Sequence, residues 1–409
     1  MRMFVRIDND PRDYAWGSTH GIAGLLGRRA SSRPEAELWL GAHPGSPSRL
    51  VRPTDGARTL AELIAEEPEQ TLGDDWRDDE SYGGAPRLGF LLKVLSAAAP
   101  LSIQAHPSPE QAQEGFEREN RLGIPLDAPE RNYKDPFHKP ELIYAVTPFD
   151  ALCGFRDVGT SVAVLDRLIS VGRPAGLPHD ELDVLRGILA AGETEESALR
   201  ATVGLLLGGG EGAEEIVSQA TAIARSPKGS DVPELGIVRL LADVSPGDPG
   251  IVLALLLHRV ALKPGEALYL PAGNIHAYLS GTGIELMAAS DNVLRGGLTP
   301  KYIDVPELLK VLDFTPVPAP LLAPSRVGTL ELFAPDVPDF KLGHVTGDAT
   351  LELTGPAIVL CTAGQASVTG DHGTITVHRG DAVFVSPDEG SLRFAPHEDS
   401  VLFVATDNR

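Results

Sequence analysis

A chain of 409 residues exceeds one ordinary domain, and 42% hydrophobic with 22% charged side chains is the balance of a protein with sizeable cores, which excludes wholesale disorder. Its 35 basic against 57 acidic residues leave a formal charge of −22, which argues against nucleic acid and anionic membranes as partners but not against a small anion held by a few focused cations. Cys153 and Cys361 form neither a disulfide framework nor a Cys-based zinc pattern; the amino terminus lacks an apolar signal region and no stretch is long enough to cross a bilayer, so a cytoplasmic location is expected.

In chain order, Phe4 to about Phe155 reads as short strands broken by Gly and Pro, among them Ala36 to Leu40, Leu88 to Leu95, Leu101 to His106 and Glu141 to Thr147. Lys93 sits in the otherwise apolar run LGFLLKVLSA, where an unpaired ammonium is costly unless it meets an anion. In Leu101-Ser-Ile-Gln-Ala-His, alternation turns Ser102, Gln104 and His106 to one side and Ile103 and Ala105 to the other. The polar side is either a solvent face or a metal site. Lys139 and Glu141 share a face by the same rule, either as a surface salt bridge or as part of a cleft.

From about Asp157 to Pro249 apolar residues recur at three and four spacing, as in SVAVLDRLI and EESALRATVGLLL, and predict helices. Thr194 with Glu196 and Ser197 marks one helix start, and Gly208-Gly209-Gly210 its end; the triplet lacks the Lys-Ser or Lys-Thr of a phosphate loop. Strand character returns at Ala267 to Leu270 and at Gly283 to Ala289, where Glu285 interrupts an apolar run and Arg295 follows on a glycine-flanked loop that could hold an anion together with Lys301. The Pro-rich stretch 315 to 324 reads as a linker, with more short strands beyond it.

KPGEALYLPAGNIHAY at 263–278 parallels HRGDAVFVSPDEGSLRF at 378–394, but only the first copy has a histidine after the Pro and Gly of its turn, at His276. Gly265, Pro271, Gly273 and His276 fit the second motif of the cupins, small double-sheet barrels, with the Pro-x-Gly turn aiming His276 inward. The expectation is a mainly β chain with an α-helical insertion. It comprises a discontinuous catalytic cupin-type jelly-roll barrel (1–155 and 250–315), a helical insertion (156–249) and a smaller cupin-like β domain (325–409).

SIQAHP at 102–107, YKDPFHKPE at 133–141 and MAASDNVLRGGLTPK at 287–301 resemble the signatures of the type I phosphomannose isomerases, and the resemblance spans nearly the whole chain. It implies one zinc ion held by Gln104, His106, Glu141 and His276; Glu141 enters the set through the resemblance alone. It implies interconversion of mannose 6-phosphate and fructose 6-phosphate through a cis-enediolate, feeding mannose metabolism and GDP-mannose synthesis, by a monomer. Residues matching the substrate-site motifs are Trp16, Lys93, Ser102, Lys139, Tyr278, Glu285, Asp291, Arg295 and Lys301. Moving a carbonyl between adjacent carbons needs a base, for which Glu285 is the first candidate and Lys139 or His138 are rivals, and a cation near the developing oxyanion, with Arg295 assigned to phosphate or enediolate charge. The competing readings are an isomerase of other aldose phosphates such as glucose 6-phosphate, and a non-enzymatic sugar-binding cupin. An iron oxygenase fits less well, since its usual set has no glutamine.

Overall fold

The computed structural model describes residues 4–54, 56–73, 76 and 84–408. Its organising element is the 13-residue strand His276–Ala288. The first half pairs with Phe149–Phe155 and meets Gln104 through His276, whereas the second half lies between Phe90–Ala97 and Glu141–Ala145. The change of partner follows a bulge between Tyr278 and Ser280. At the corner Gly281 has φ 124°, and a Cβ there would meet Phe149 at 2.7 Å, so only glycine fits. One strand thereby serves both halves of a nine-stranded sheet that also contains Glu37–Leu40, Leu257–Leu262, Ala267–Leu270 and Leu294–Arg295.

Side-chain alternation decides what each face packs against. Leu95, Ile143, Ala145, Ala151, Cys153 and Tyr278 fill the barrel interior. The opposite faces, with Leu92, Val94, Leu142, Ile284 and Leu286, pack on Ile358, Leu360, Phe384 and Phe403 of a second sheet. Ile103 and Ala105, turned away from Gln104 as alternation requires, join Leu152 and the helical layer. That layer includes Val158–Gly172, Asp180–Ala191, Glu195–Leu207 and Glu211–Arg225. Thr194 and Ser197 form a reciprocal capping box, and Gly208 caps the other end.

The second nine-stranded sheet contains Ser325–Val327, Leu330–Phe333, Lys341–Val345, Val401–Thr406, Ala357–Ala363 and Ala382–Val385. It faces a four-stranded sheet of Ala349–Glu352, Ser391–Pro396, Gln365–Thr369 and Thr374–His378. Val359, Val383 and Val385 meet Val368 and Phe394 between them. The two repeats have matching turns, with Gly265 at φ 95° and Gly380 at φ 89° before their strands.

Four expectations need correction. Phe4–Asp8, Arg49–Thr54 and Ala57–Thr59, assigned to the first barrel with the rest of 1–155, complete the carboxy-terminal sheet, Phe4–Asp8 pairing with Ala382–Val385. Local patterning makes a strand but does not choose its partner. The helical layer does not stop at 249: the run IVLALLL is apolar all round because Gly250–Leu253 and Ala254–Leu256 are buried helical turns. Within the half read as strands, Pro109–Arg121 is a helix opened by a Ser108–Gln111 capping box. The Pro-rich linker is docked, with Tyr269 N donating to Pro320 O (3.0 Å) and Leu322 N to Ala267 O (2.9 Å). Among the described residues no helix is long and apolar enough to cross a membrane.

Candidate metal centre and active site

His106, Glu141 and His276 lie together with their ligand atoms within 4.8 Å of one another, all buried. Their hydrogen bonds fix the chemistry of this cluster. His106 Nδ1 donates to Asn292 O (2.7 Å) and His276 Nδ1 to Asn274 O (3.0 Å), so in the neutral rings both Nε2 atoms are bare lone pairs. Burial pushes His106 down to about 4, which keeps it neutral near pH 7. The two Nε2 atoms face the Glu141 carboxylate at 3.2 and 3.3 Å, and the Gln104 amide ends 3.3 Å from His276 Nε2. Lone pairs facing a carboxylate at these distances repel unless a cation lies between them. Among the described residues His106 Nε2 and Glu141 Oε2 correspondingly have no hydrogen-bond partner. Two imidazoles, a carboxylate and an amide that can present its oxygen fit zinc in a site with exchangeable positions.

The strands explain how the donors converge. His276 stands opposite Gln104 on one side and Cys153 on the other. The turn before it is held by Gly273 N donating to His106 O (2.8 Å), with Gly273 at φ 77°. Asn292, fully buried, orients His106 through its carbonyl, while its side chain clamps the loop leading to Glu141: Nδ2 donates to Asp135 O and Phe137 O (both 2.8 Å), and Oδ1 accepts from Lys134 N (2.7 Å).

Next to the cluster is a buried set of charges. Lys93 Nζ lies 2.9 Å from Glu285 Oε2, directly across the strand pair, and 3.9 Å from Glu37 Oε1. Burial alone would lower Lys93, but Glu285, Glu37 and Glu141 outweigh it and push the ammonium up, so it stays charged. Burial raises Glu285 against the opposing pull of Lys93. Tyr278 Oη ends nearby with no hydrogen-bond partner among the described residues, and burial followed by the Glu285 charge raises its phenol well above the usual range. Lys139 Nζ lies 3.1 Å from Glu141 Oε1. Against the cost of burial, that ammonium holds Glu141 well below the usual carboxylate range.

Arg295 pairs in register with Gln104, and its Nη1 donates to Ser102 Oγ (2.9 Å). Burial lowers the Arg295 guanidinium, and the Arg295 charge is the chief influence lowering Lys301. Among the described residues neither cation forms an ion pair, so an unbalanced positive site adjoins the metal donors. Trp16 stacks on Tyr14 at 5.7 Å and packs, as Leu101 does, against the interior core that contains Tyr278. Asp291 stands at the edge, half-exposed, 3.4 Å from His43 Nε2.

His138, a rival for the base, is drawn away: its Nε2 contacts both Asp339 oxygens (2.9 and 3.1 Å) in the carboxy-terminal half. Sequence reasoning missed Glu37, Trp39, His43 and Asn292. Trp39 Nε1 donates to Glu37 Oε2 (2.8 Å), its ring lies 5.2 Å from Lys93 Nζ, and His43 packs edge-on against it at 4.9 Å. Glu37 in the apolar run AELWLG carried the same signal as Lys93, a charge where a strand is otherwise buried.

The sequence profile described as "Phosphomannose isomerase type I, catalytic domain" matches residues 4–158. Mannose-6-phosphate isomerase of Escherichia coli K12 is 38% identical, with 96% of this chain and 97% of that protein aligned. The chain belongs to the type I mannose-6-phosphate isomerase family. The human mannose-6-phosphate isomerase is 34% identical over 96% of both chains. A solved structure of mannose 6-phosphate isomerase bound with zinc and yttrium superimposes with a TM-score of 0.85 at 35% identity, covering 99% of this chain and all of that one. The apo form from Salmonella typhimurium gives the same TM-score over the full length of both chains. This member of the isomerase family therefore has the family's cupin-type architecture, mostly sheet with helices.

Proposed function

We propose that the chain is a zinc enzyme that interconverts mannose 6-phosphate and fructose 6-phosphate through a cis-enediolate, its zinc held by Gln104, His106, Glu141 and His276. The observation that carries this reading is the register of Arg295 with Gln104, which makes the anion site and the metal donors neighbours on adjacent strands. A sugar phosphate has both an anionic end and oxygens suited to a metal.

Zinc, when bound, supplies a Lewis acid that polarises the sugar carbonyl and spreads oxyanion charge. Arg295, Ser102 and Lys301 hold the phosphate, and Trp16, Tyr278 and Asp291 line the sugar. Glu285 removes the C2 proton of the aldose and returns it to C1. Burial raises its pKa against the opposing pull of Lys93, which makes its carboxylate a stronger base than an exposed one. Lys139, 3.1 Å from Glu141 Oε1, donates to the sugar oxygens. The carboxy-terminal strands form a second, smaller cupin-like unit with no metal-ligand cluster among the described residues, in keeping with a second repeat that has no histidine at the place of His276. The product feeds GDP-mannose synthesis, and the enzyme acts as a cytoplasmic monomer.

A coupled assay for fructose 6-phosphate on the purified chain tests this reading. Turnover of mannose 6-phosphate is expected, with loss on chelation and recovery with zinc. Faster turnover of glucose 6-phosphate would reassign the substrate, and zinc binding without turnover of either sugar would leave a binding protein.

A further inference from the structure

We propose that Asp248, in the helical layer just before the turn Gly250–Leu253, is a positioning residue for the anion site formed by Arg295 and Lys301. The proposal rests on the reading of those two cations as the phosphate site. Asp248 Oδ1 accepts from Gly250 N (2.7 Å), as a turn-forming aspartate does. The same carboxylate also reaches a distant segment, Oδ1 accepting from Leu298 N (2.8 Å) and Oδ2 from Thr299 N (3.3 Å). These amides lie between Arg295 and Lys301 on the chain.

The segment needs such a tether. Leu298 has φ 54°, a left-handed conformation that is strained for a non-glycine residue and persists only where its surroundings enforce it. Gly297 and Gly250 approach so closely that a Cβ on Gly297 would lie 2.9 Å from both Asp248 Oδ1 and Gly250 Cα. Upstream, the loop is secured by the barrel, with Gly296 N donating to Ile103 O (2.8 Å) and Ile103 N to Gly297 O (3.0 Å). Downstream, Asp248 grips Leu298 and Thr299, and Thr299 Oγ1 in turn accepts from Lys301 N (3.2 Å). The helical layer thus sets where Lys301 stands relative to Arg295.

The test uses the full zinc-loaded chain, with KM and kcat for mannose 6-phosphate, inhibition by inorganic phosphate, zinc content and thermal midpoint as readouts. Asp248→Ala should raise both KM and the inhibition constant of phosphate about tenfold, with kcat within about threefold and zinc content unchanged. Asp248→Asn keeps an acceptor oxygen and should restore most of the loss. Asp248→Glu misplaces the same oxygens and replaces the alanine variant if that does not fold. Lys301→Met serves as the control for the underlying reading. If Lys301→Met raises both constants and Asp248→Ala raises neither, positioning by Asp248 is wrong and the phosphate site stands. If Lys301→Met changes neither, the phosphate reading itself fails. A loss of zinc, kcat and midpoint together that Asn does not rescue would reduce Asp248 to a structural residue and overturn the proposal.

Discussion

Glu285 and Lys93 illustrate how much one buried pair can decide. An isolated charge in a sheet interior costs several kcal/mol, so the barrel tolerates these two only because they face each other at 2.9 Å. Glu285→Gln keeps the shape and removes the basicity; kcat should fall about a hundred- to ten-thousand-fold, with zinc content and KM nearly unchanged. Residual turnover above a few per cent would move the base to Lys139. His43 gives a pH prediction. Burial, the largest influence, pushes it down from 6.5 to about 4, against the upward pull of Asp291. Its Nδ1 accepts from Gly45 N (3.1 Å), so the neutral ring directs its proton from Nε2 toward Asp291. A folded-state pKa below the unfolded one means that stability is fully present above about 6.5 and is lost as pH falls toward about 4. His43→Gln should therefore flatten the acid branch of the stability curve, by roughly 3 kcal/mol between the two ends. Urea midpoints of both proteins at matched pH measure this, since metal loss in acid is common to the pair; parallel curves would refute it. His43 is also a case that sequence could not reveal, because nothing in AELWLGAHPG distinguishes a buried histidine from an exposed one.

Among the elements, the Pro-x-Gly turn before the long strand is the one whose geometry the metal donors most depend on. Gly273 has φ 77°, and a Cβ there would stand 3.1 Å from Asp313 Cβ, Asp313 N and Val311 O. Gly273→Ala should cost about 1–3 kcal/mol in stability and weaken zinc binding, because the same turn ties His106 O to Gly273 N and carries the carbonyl that orients His276. Thermal midpoints and competition with a zinc chelator separate the two effects, and unchanged zinc affinity would confine the turn to folding. Strand parity put Gln104 and His106 on one face without any structure, since period-two alternation is a local property of backbone sterics, but it left open whether that face met solvent or a metal. Glu141 was not legible in this way: its approach depends on Asn292 and on a loop closed by residues more than 150 positions away.

Across the whole molecule, one core binds what the sequence presents as separate units. Leu92, Val94, Ile284 and Leu286 of the metal-bearing sheet pack with Ile358, Leu360, Phe384 and Phe403 of the carboxy-terminal sheet, and Ile7 of the amino-terminal strand joins them. Separating the sheets would expose all of this apolar surface, at about 25 cal/mol per Å². The zinc-loaded chain should therefore unfold in a single calorimetric transition, and Ile7→Ala should lower its midpoint without splitting it. Two resolved transitions would show that the sheets are independent. The sequence by itself determined whatever short-range physics controls: strand alternation, helical period, the Thr194 cap, the turn at Gly273 and the charges that a buried strand does not hold without partners. Tertiary structure alone decided that the amino-terminal strand completes the carboxy-terminal sheet, that His138 faces Asp339 rather than the metal donors, and that Asp248 reaches the loop after Arg295. These depend on contacts between segments tens to hundreds of residues apart, and no local pattern encodes which distant partner will cover a given face or edge.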